Sequence, residues 1–246
     1  MAVKEDITQK KNLERLKEDV ERIMRHDLKS PLNGIIGLPQ ILEEDGNLTG
    51  EQVELVRSME QSGRKMLNMI NLSLDMFKME MGSYVYQPQE VDVLAVIREI
   101  ISDNKSRTAA ADLKTRVFVD HGPPQANDEF ILFSEERLLY NMLSNLYLNA
   151  VEASPPNAEI TLEITDSDPA VLTMSNSGTV PPDIRDNFFD KYITRGKRAG
   201  TGLGTYSAML IAHTMGYDIA MHTSDVEEAT RITIYIPREK PQWDAG

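Results

Sequence analysis

The sequence predicts an α + α/β protein: an N-terminal antiparallel helical hairpin, then a domain in which helices cover one face of a mixed sheet. Three observations carry this. From Leu13 to Met81 apolar residues recur at helical spacing, with almost no strand-like alternation. Beyond about residue 90, helical stripes and short strand-like runs are interleaved, the pattern of a sheet packed against helices. Between the two, MGSYVYQPQE breaks both periodicities with Gly82, Pro88 and two tyrosines.

In the first helix Leu13, Leu16, Val20, Ile23 and Met24 form one stripe, continued by Leu28, Leu32, Ile35 and Ile36. EEDGNLTG ends it at Gly46, Asn47 and Gly50. Thr49 followed by Gln52 reads as a capping box that restarts a second helix. Val53, Val56, Met59, Met66, Ile70 and Phe77 carry that helix's apolar face. A two-helix hairpin has too little core to cover its own stripe, and pairing two copies into a four-helix bundle is the simplest remedy, so a homodimer is predicted.

In the second region VLAVIREIISDN reads as a helix, and TRVFVD and FILFS as strands. EERLLYNMLSNLYLNAVEA is a strongly periodic helix with Leu139, Met142, Leu143, Leu146, Ala150 and Ala153 on one face. AEITLEI, AVLTMS, DIAMHT and RITIYIP are strand-like, and GLGTYSAMLIAHTMG is a helix. Residues 180 to 202 show little periodicity, and so long a connection inside a compact domain is a functional lid or a disordered segment.

Composition narrows the functional classes. A formal net charge of −13 on 246 residues argues against a general nucleic-acid or anionic-membrane binder, both of which need basic surface. The chain has no cysteine, which excludes disulfides and thiolate metal sites. No apolar run approaches the roughly 20 residues of a membrane span, and the N-terminus lacks a signal core. The expectation is a cytoplasmic protein, or the cytoplasmic piece of a larger one that makes no membrane contact itself.

Three groups of residues could do chemistry. RHDLKSPLNGI lies within the first helix, where Pro31 removes a hydrogen bond at a cost of about 3 kcal/mol. His26 and Ser30 lie one turn apart there, with Asp27 beside the histidine. A neutral imidazole attacks phosphorus through one nitrogen while the other holds its proton, and a neighbouring carboxylate fixes that tautomer. A His-Asp pair on a solvated helix face is the plain alternative. In the later helix Asn141, Asn145 and Asn149 repeat at intervals of four, extended by Glu152. Amide oxygens suit Mg²⁺, which takes one or two protein ligands beside nucleotide phosphates; a solvated stripe accounts for them equally. Gly200, Gly202 and Gly204 precede a helix, where backbone can approach closely and the helix start favours phosphate; an ordinary turn uses glycines equally. This is not the Walker pattern, since no GK[ST] follows a strand. Asn176 and Gly178 end a predicted strand, where an amide oxygen could accept from an adenine amino group. Lys191, Arg195, Lys197 and Arg198 cluster between the two, as phosphate ligands on a lid or as an ordinary solvated loop.

HDLKSPLN, NLYLNAVEA, NSG, NFFDKY and GTGLGT occur in that order. The order resembles the sensor histidine kinases of two-component signalling, over nearly the whole chain. The resemblance implies a signalling-helix linker over residues 1–12 and a dimerisation and histidine-phosphotransfer domain over 13–82. A linker over 83–90, a GHKL-type (Bergerat-fold) α/β ATP-binding sandwich over 91–240 and a tail over 241–246 follow. It makes His26 the phosphoacceptor, Asp27 its general-base neighbour, and Ser30 the counterpart of a Thr or Asn that serves dephosphorylation of the partner regulator. Asn149 matches the Mg²⁺-binding asparagine and Asn145 the polar residue one turn earlier. Asn176 and Gly178 match the first glycine box, Phe188 and Phe189 the phenylalanine box, and Gly200, Gly202, Leu203 and Gly204 the second glycine box. Lys191 and Arg195 join the ATP-binding set. Two positions depart from the family pattern: Asn176 replaces the usual aspartate, and Val180 the usual second glycine. The cofactors implied are ATP and Mg²⁺, and the partners a second copy and the receiver domain of a separate response regulator. EDITQKKNLE resembles the exit of a PAS-type sensory domain, which implies a sensor upstream. The rival readings are a Bergerat-fold ATPase clamp, which has no need of HDLKSPL, and a degenerate nucleotide-binding scaffold, suggested by Asn176 and Val180.

Overall fold

The computed structural model describes residues 28–193 and 202–238. The chain divides into two compact units, Met1–Ser83 and Tyr84–Gly246. His26, Asp27, Arg195, Gly200, the PAS-exit segment and the tail lie outside the described residues.

The first unit is the hairpin. Helix α1 spans Lys29–Glu44 and α2 spans Gly50–Glu80. The capping box forms as its residues suggest: the Gln52 N–H donates to Thr49 Oγ1 at 3.3 Å, and the Thr49 N–H donates to Gln52 Oε1 at 2.9 Å. At the other end Gly82 takes φ +63°. There the Ser83 N–H reaches the Lys78 carbonyl at 2.8 Å and the Gly82 N–H that of Met79 at 3.0 Å, a Schellman ending. Leu32, Pro39, Val56, Gly63, Leu74 and Met79 are buried. The helices pack tightly at Gly63, where a Cβ would lie 2.9 Å from Ile36 Cγ1. The second face of the hairpin is exposed: Leu28 just before α1, Ile35, Leu38, Ile41 and Leu42 on α1, and Leu55, Met59, Met66 and Met69 on α2. Met59 and Met66, read from sequence as part of one apolar face with Val56, therefore lie on a separate stripe. Pro39, which the sequence reading passed over in favour of Pro31, also sits inside α1; it has no N–H for the Ile35 carbonyl.

In the second unit β1 (Gln89–Asp92) pairs antiparallel with β3 (Ile131–Ser134). Residues 89 and 90, assigned from sequence to the linker, are thus the first half of a strand. Asp92 ends β1 and caps helix α3 (Val93–Asp103), its Oδ1 accepting from the Leu94 N–H at 3.1 Å and the Phe130 N–H at 2.9 Å. The short helix α4 (Lys105–Ala110) and strand β2 (Lys114–Val119) follow. After β3 come α5 (Glu136–Ala153), β4 (Glu159–Thr165), β5 (Ala170–Ser177) and a 3-10 turn at Pro182–Ile184. Helix α6 (Gly204–Thr214) and strands β6 (Asp218–Ser224) and β7 (Ala229–Ile236) complete the described residues.

Five strands form one sheet in the order β2-β4-β5-β7-β6, with β2 and β4 parallel and the remaining pairs antiparallel. Alternation along the strands buries one face: Ile160, Leu162 and Ile164, then Leu172 and Met174, then Ile232 and Ile234. Helices α3, α5 and α6 cover it, α5 lying centrally against β5, α3 and α6. The mixed sheet covered on one face is the predicted one. The buried surface of α5 is wider than the predicted stripe, adding Leu138, Tyr147 and Val151, while Ala153 is exposed. A helix with neighbours on three sides buries more than one narrow stripe.

Candidate nucleotide and phosphotransfer site

Helix α5 sets one wall. Its apolar residues face the core, which leaves Asn141, Asn145 and Asn149 half-buried in a row beside them, with Glu152 exposed at the end. The spacing of four puts successive amides one turn apart.

The end of β5 meets the end of that helix. Asn176 is 8% exposed, and its Nδ2 donates to the Ser177 carbonyl at 2.8 Å. Gly178 follows at φ +107°, and a Cβ there would lie 2.7 Å from the Ala153 carbonyl oxygen. Only glycine lets the strand pass so close to the last residue of α5. The loop is held from the far side by residues that sequence reasoning missed. The Gly178 N–H donates to the Glu228 carbonyl at 2.7 Å, and Thr230 Oγ1 donates to the Gly178 carbonyl at 2.8 Å. The Val180 N–H donates to Thr223 Oγ1 at 3.1 Å, and the two threonine hydroxyls lie 3.1 Å apart. Arg185 Nε donates to the Val180 carbonyl at 2.7 Å while its guanidinium pairs with Asp225. That hydrogen bond holds the Asp225 carboxyl below its ordinary value of 3.8.

A second group gathers at the start of α6. Thr205 Oγ1 donates to the Phe188 carbonyl at 2.9 Å, and Phe188 packs edge-on against Phe189 with centroids 5.0 Å apart. The Lys191 ammonium lies 4.8 Å from the centre of the Tyr206 ring. The Tyr192 N–H donates to the Gly202 carbonyl at 2.9 Å, and a Cβ on Gly202 would come within 2.6 Å of the Tyr192 backbone. Tyr192 and Gly202, on either side of residues 194–201, are thereby joined. Among the described residues no side chain caps α6 at Leu203, and a Cβ on Gly204 would meet nothing within 4 Å.

The structure thus brings Asn176 and Gly178 to the end of the helix carrying Asn145 and Asn149, and separately gathers Lys191, Gly202, Leu203 and Gly204. Helix α5, in contact with both Gly178 and α6, is common to the two groups. Ser30 is exposed on the first turn of the described α1. Neutral amides, helix N–H groups and one cation suit a polyphosphate whose metal is completed by phosphate oxygens and water. Among the described residues no group of three acidic or histidine side chains could hold a metal by itself. A cavity of about 380 Å³ lined by Gln89, Glu99, Glu135, Glu136, Arg137 and Tyr140 shares no residue with this site.

Comparison with known proteins gives the class. The His Kinase A (phospho-acceptor) domain family matches residues 16–82. The histidine kinase-, DNA gyrase B-, and HSP90-like ATPase family matches residues 134–240. The chain belongs to the sensor histidine kinases and comprises the catalytic core of one, a phospho-acceptor domain followed by an ATPase domain.

Among its relatives, the aerobic respiration control sensor protein ArcB of Escherichia coli K12 is 29% identical over 94% of this chain and 31% of its own length. The circadian input-output histidine kinase CikA of Synechococcus elongatus is 24% identical over 88% of this chain and 29% of its own length. The chain therefore spans less than a third of the length of these relatives. Full-length ShkA, solved in complex with AMPPNP, shares the fold with a TM-score of 0.68 at 21% identity, over 91% of this chain and 46% of that one. The Acinetobacter baumannii histidine kinase AdeS does so with a TM-score of 0.59 at 16% identity, over 87% of this chain and 98% of that one. Among the described residues no helix is long and apolar enough to cross a membrane.

Proposed function

We propose that this chain binds Mg²⁺-ATP in its C-terminal unit, transfers the γ-phosphoryl group to His26, and passes it on to an aspartate on the receiver domain of a separate response regulator. One observation carries the nucleotide reading. Gly178 abuts the carbonyl of Ala153, the last residue of α5, one turn beyond Asn149. An adenine-facing amide on β5 and a metal-facing amide on α5 are thereby assigned to the rim of one site. Asn176 Oδ1 accepts from the adenine amino group, and Asn149 holds Mg²⁺ with Asn145 beside it. Lys191, Arg195 and the backbone from Gly200 through Gly202, Leu203 and Gly204 take the phosphates. Mg²⁺ supplies neutralisation of the charge that builds on the phosphate oxygens. At the acceptor, a bond forms between one imidazole nitrogen of His26 and phosphorus while the bond to the bridging oxygen breaks and ADP leaves. Asp27 holds the other ring nitrogen's proton in place. Ser30, one turn beyond His26, orients water when the regulator is dephosphorylated.

The hairpin works as a homodimer in this reading. Leu28, Ile35, Leu38 and Leu42, with Leu55, Met59, Met66 and Met69, follow three-four and seven spacing, the signature of a helix seam awaiting a partner. An upstream PAS-type sensor drives the hairpin, and the core acts in the cytoplasm. Single-turnover labelling from γ-labelled ATP tests the reading: label should form with Mg²⁺, vanish with chelator and fall at least tenfold in Asn149→Ala. Label that forms equally well without metal, or in that variant, would overturn it.

A further inference from the structure

The only covalent route between the hairpin and the ATPase unit runs through residues 81–88. Its first part belongs to α2, because the Ser83 N–H donates to the Lys78 carbonyl at 2.8 Å and Ser83 Oγ donates there at 3.3 Å. Its later part belongs to the ATPase unit. Tyr84 Oη donates to Glu135 Oε1 at 2.7 Å, and the Gln87 N–H donates to Glu135 Oε2 at 3.3 Å. Arg137 closes the group, donating to Tyr84 Oη at 3.0 Å and to Glu135 Oε1 at 3.4 Å. Tyr86, between these two, buries its hydroxyl beside those of Ser134 and Tyr217 without a well-aligned hydrogen bond, and burial pushes it well above the ordinary tyrosine range. Glu135 immediately precedes α5, where a side chain would ordinarily cap the first free N–H groups. It makes no such bond and spends both carboxylate oxygens on the linker. The division of the chain between Ser83 and Tyr84 falls in the gap between these two sets of bonds.

We propose that Glu135 and Tyr84 form a latch that confines the hinge between the two units to the Ser83–Tyr84 junction, and so sets the rate at which bound nucleotide meets the phosphoacceptor. They are positioning residues, and the inference rests on the kinase function proposed above. A tethered encounter depends on effective concentration, which, once the linker outreaches the span between the sites, falls roughly as the −3/2 power of its free length. Breaking the latch frees Tyr84 and Val85, the latter already 74% exposed, while half-buried Tyr86 stays held with its hydroxyl enclosed. Going from about one free residue to about three lowers the encounter rate roughly fivefold. Nucleotide affinity should not change, since no residue of the latch belongs to the nucleotide site.

The test uses the full chain with Tyr84→Phe, Glu135→Ala and both together. Neither substitution uncaps α5, so the variants should fold, as checked by an unchanged affinity for Mg²⁺-ATP. Hydrogen exchange at the Gln87 amide reads the latch without any activity. Exchange there should quicken in Glu135→Ala, and labelling at saturating ATP should slow about threefold to fivefold in each single variant. The double variant should be no slower than Glu135→Ala, since both act through one contact. Unchanged exchange at Gln87 overturns the latch. Faster exchange with an unchanged or increased labelling rate overturns its positioning role. A wild-type chain that takes up no label defeats the kinase function itself, while the exchange measurement still decides the latch.

Discussion

Replacing Gly178 by alanine puts the proposed nucleotide site to a quantitative test. The added Cβ would lie 2.7 Å from the Ala153 carbonyl oxygen, a backbone atom that cannot swing aside as a side chain could. The residue would also have to hold φ +107°, outside the conformations an L side chain adopts readily. Such backbone strain costs about 1–3 kcal/mol, and overpacking adds a similar amount, about 1–3 kcal/mol. Relaxation must move the end of β5 away from α5, because Thr230 and Glu228 hold Gly178 on its other side. The cost then falls on the form of the loop that binds nucleotide. About 3 kcal/mol corresponds to roughly a hundredfold in Kd. Calorimetric titration with Mg²⁺-ATP measures this directly, and a thermal melt confirms that the unit remains folded. Gly122→Ala is the control, since its Cβ would meet the Val119 carbonyl at an ordinary 3.6 Å. An affinity in Gly178→Ala within twofold of the native chain would refute the placement of Gly178 at the nucleotide.

The hairpin and the loop give three more expectations. Gly63→Leu should lower the melting temperature of the hairpin by forcing α2 away from Ile36, now 2.9 Å from the modest Cβ position; overpacking of this sort costs about 1–3 kcal/mol. Met66→Lys places a charge on the exposed seam and should shift the protein from dimer to monomer in sedimentation velocity, whereas an undiminished dimer would exclude that seam as the interface. Asp225 is held below 3.8 in the folded chain by Arg185. Its contribution is therefore complete above that value and lost as the pH falls through the lowered one. Melting temperatures of native protein and Asp225→Asn should differ slightly at neutral pH and converge below about pH 4; a gap that widens in acid would reverse the assigned sign.

Much of this was legible because the signals are local. Thr49 and Gln52 are three residues apart and cap their own helix, so the sequence suffices. The long stripe of α5 and the alternation of β4, β5 and β7 carry their own periods. The four-residue strand β1 offers one inward apolar residue, Val91, and exists only because β3 lies beside it. The short helix α4, KSRTAA, has no apolar stripe and buries only Thr108. In the site, Gly202 was read as a point of close backbone approach, but which backbone it and Gly178 approach is a matter of tertiary packing. Thr223 and Thr230 were invisible for the same reason: they meet because β6 and β7 pair in that register, and neither belongs to a local motif. Pro39 escaped notice because a buried position in a hairpin can outweigh the helix bond it forfeits, which no propensity scale registers.

Histidine phosphorylation is tested by incubating the chain with Mg²⁺ and γ-labelled ATP beside His26→Gln. A phosphohistidine at position 26 gives a label that is lost in acid, survives alkali and is absent from the variant. A label that resists acid, or one that His26→Gln retains, would contradict it.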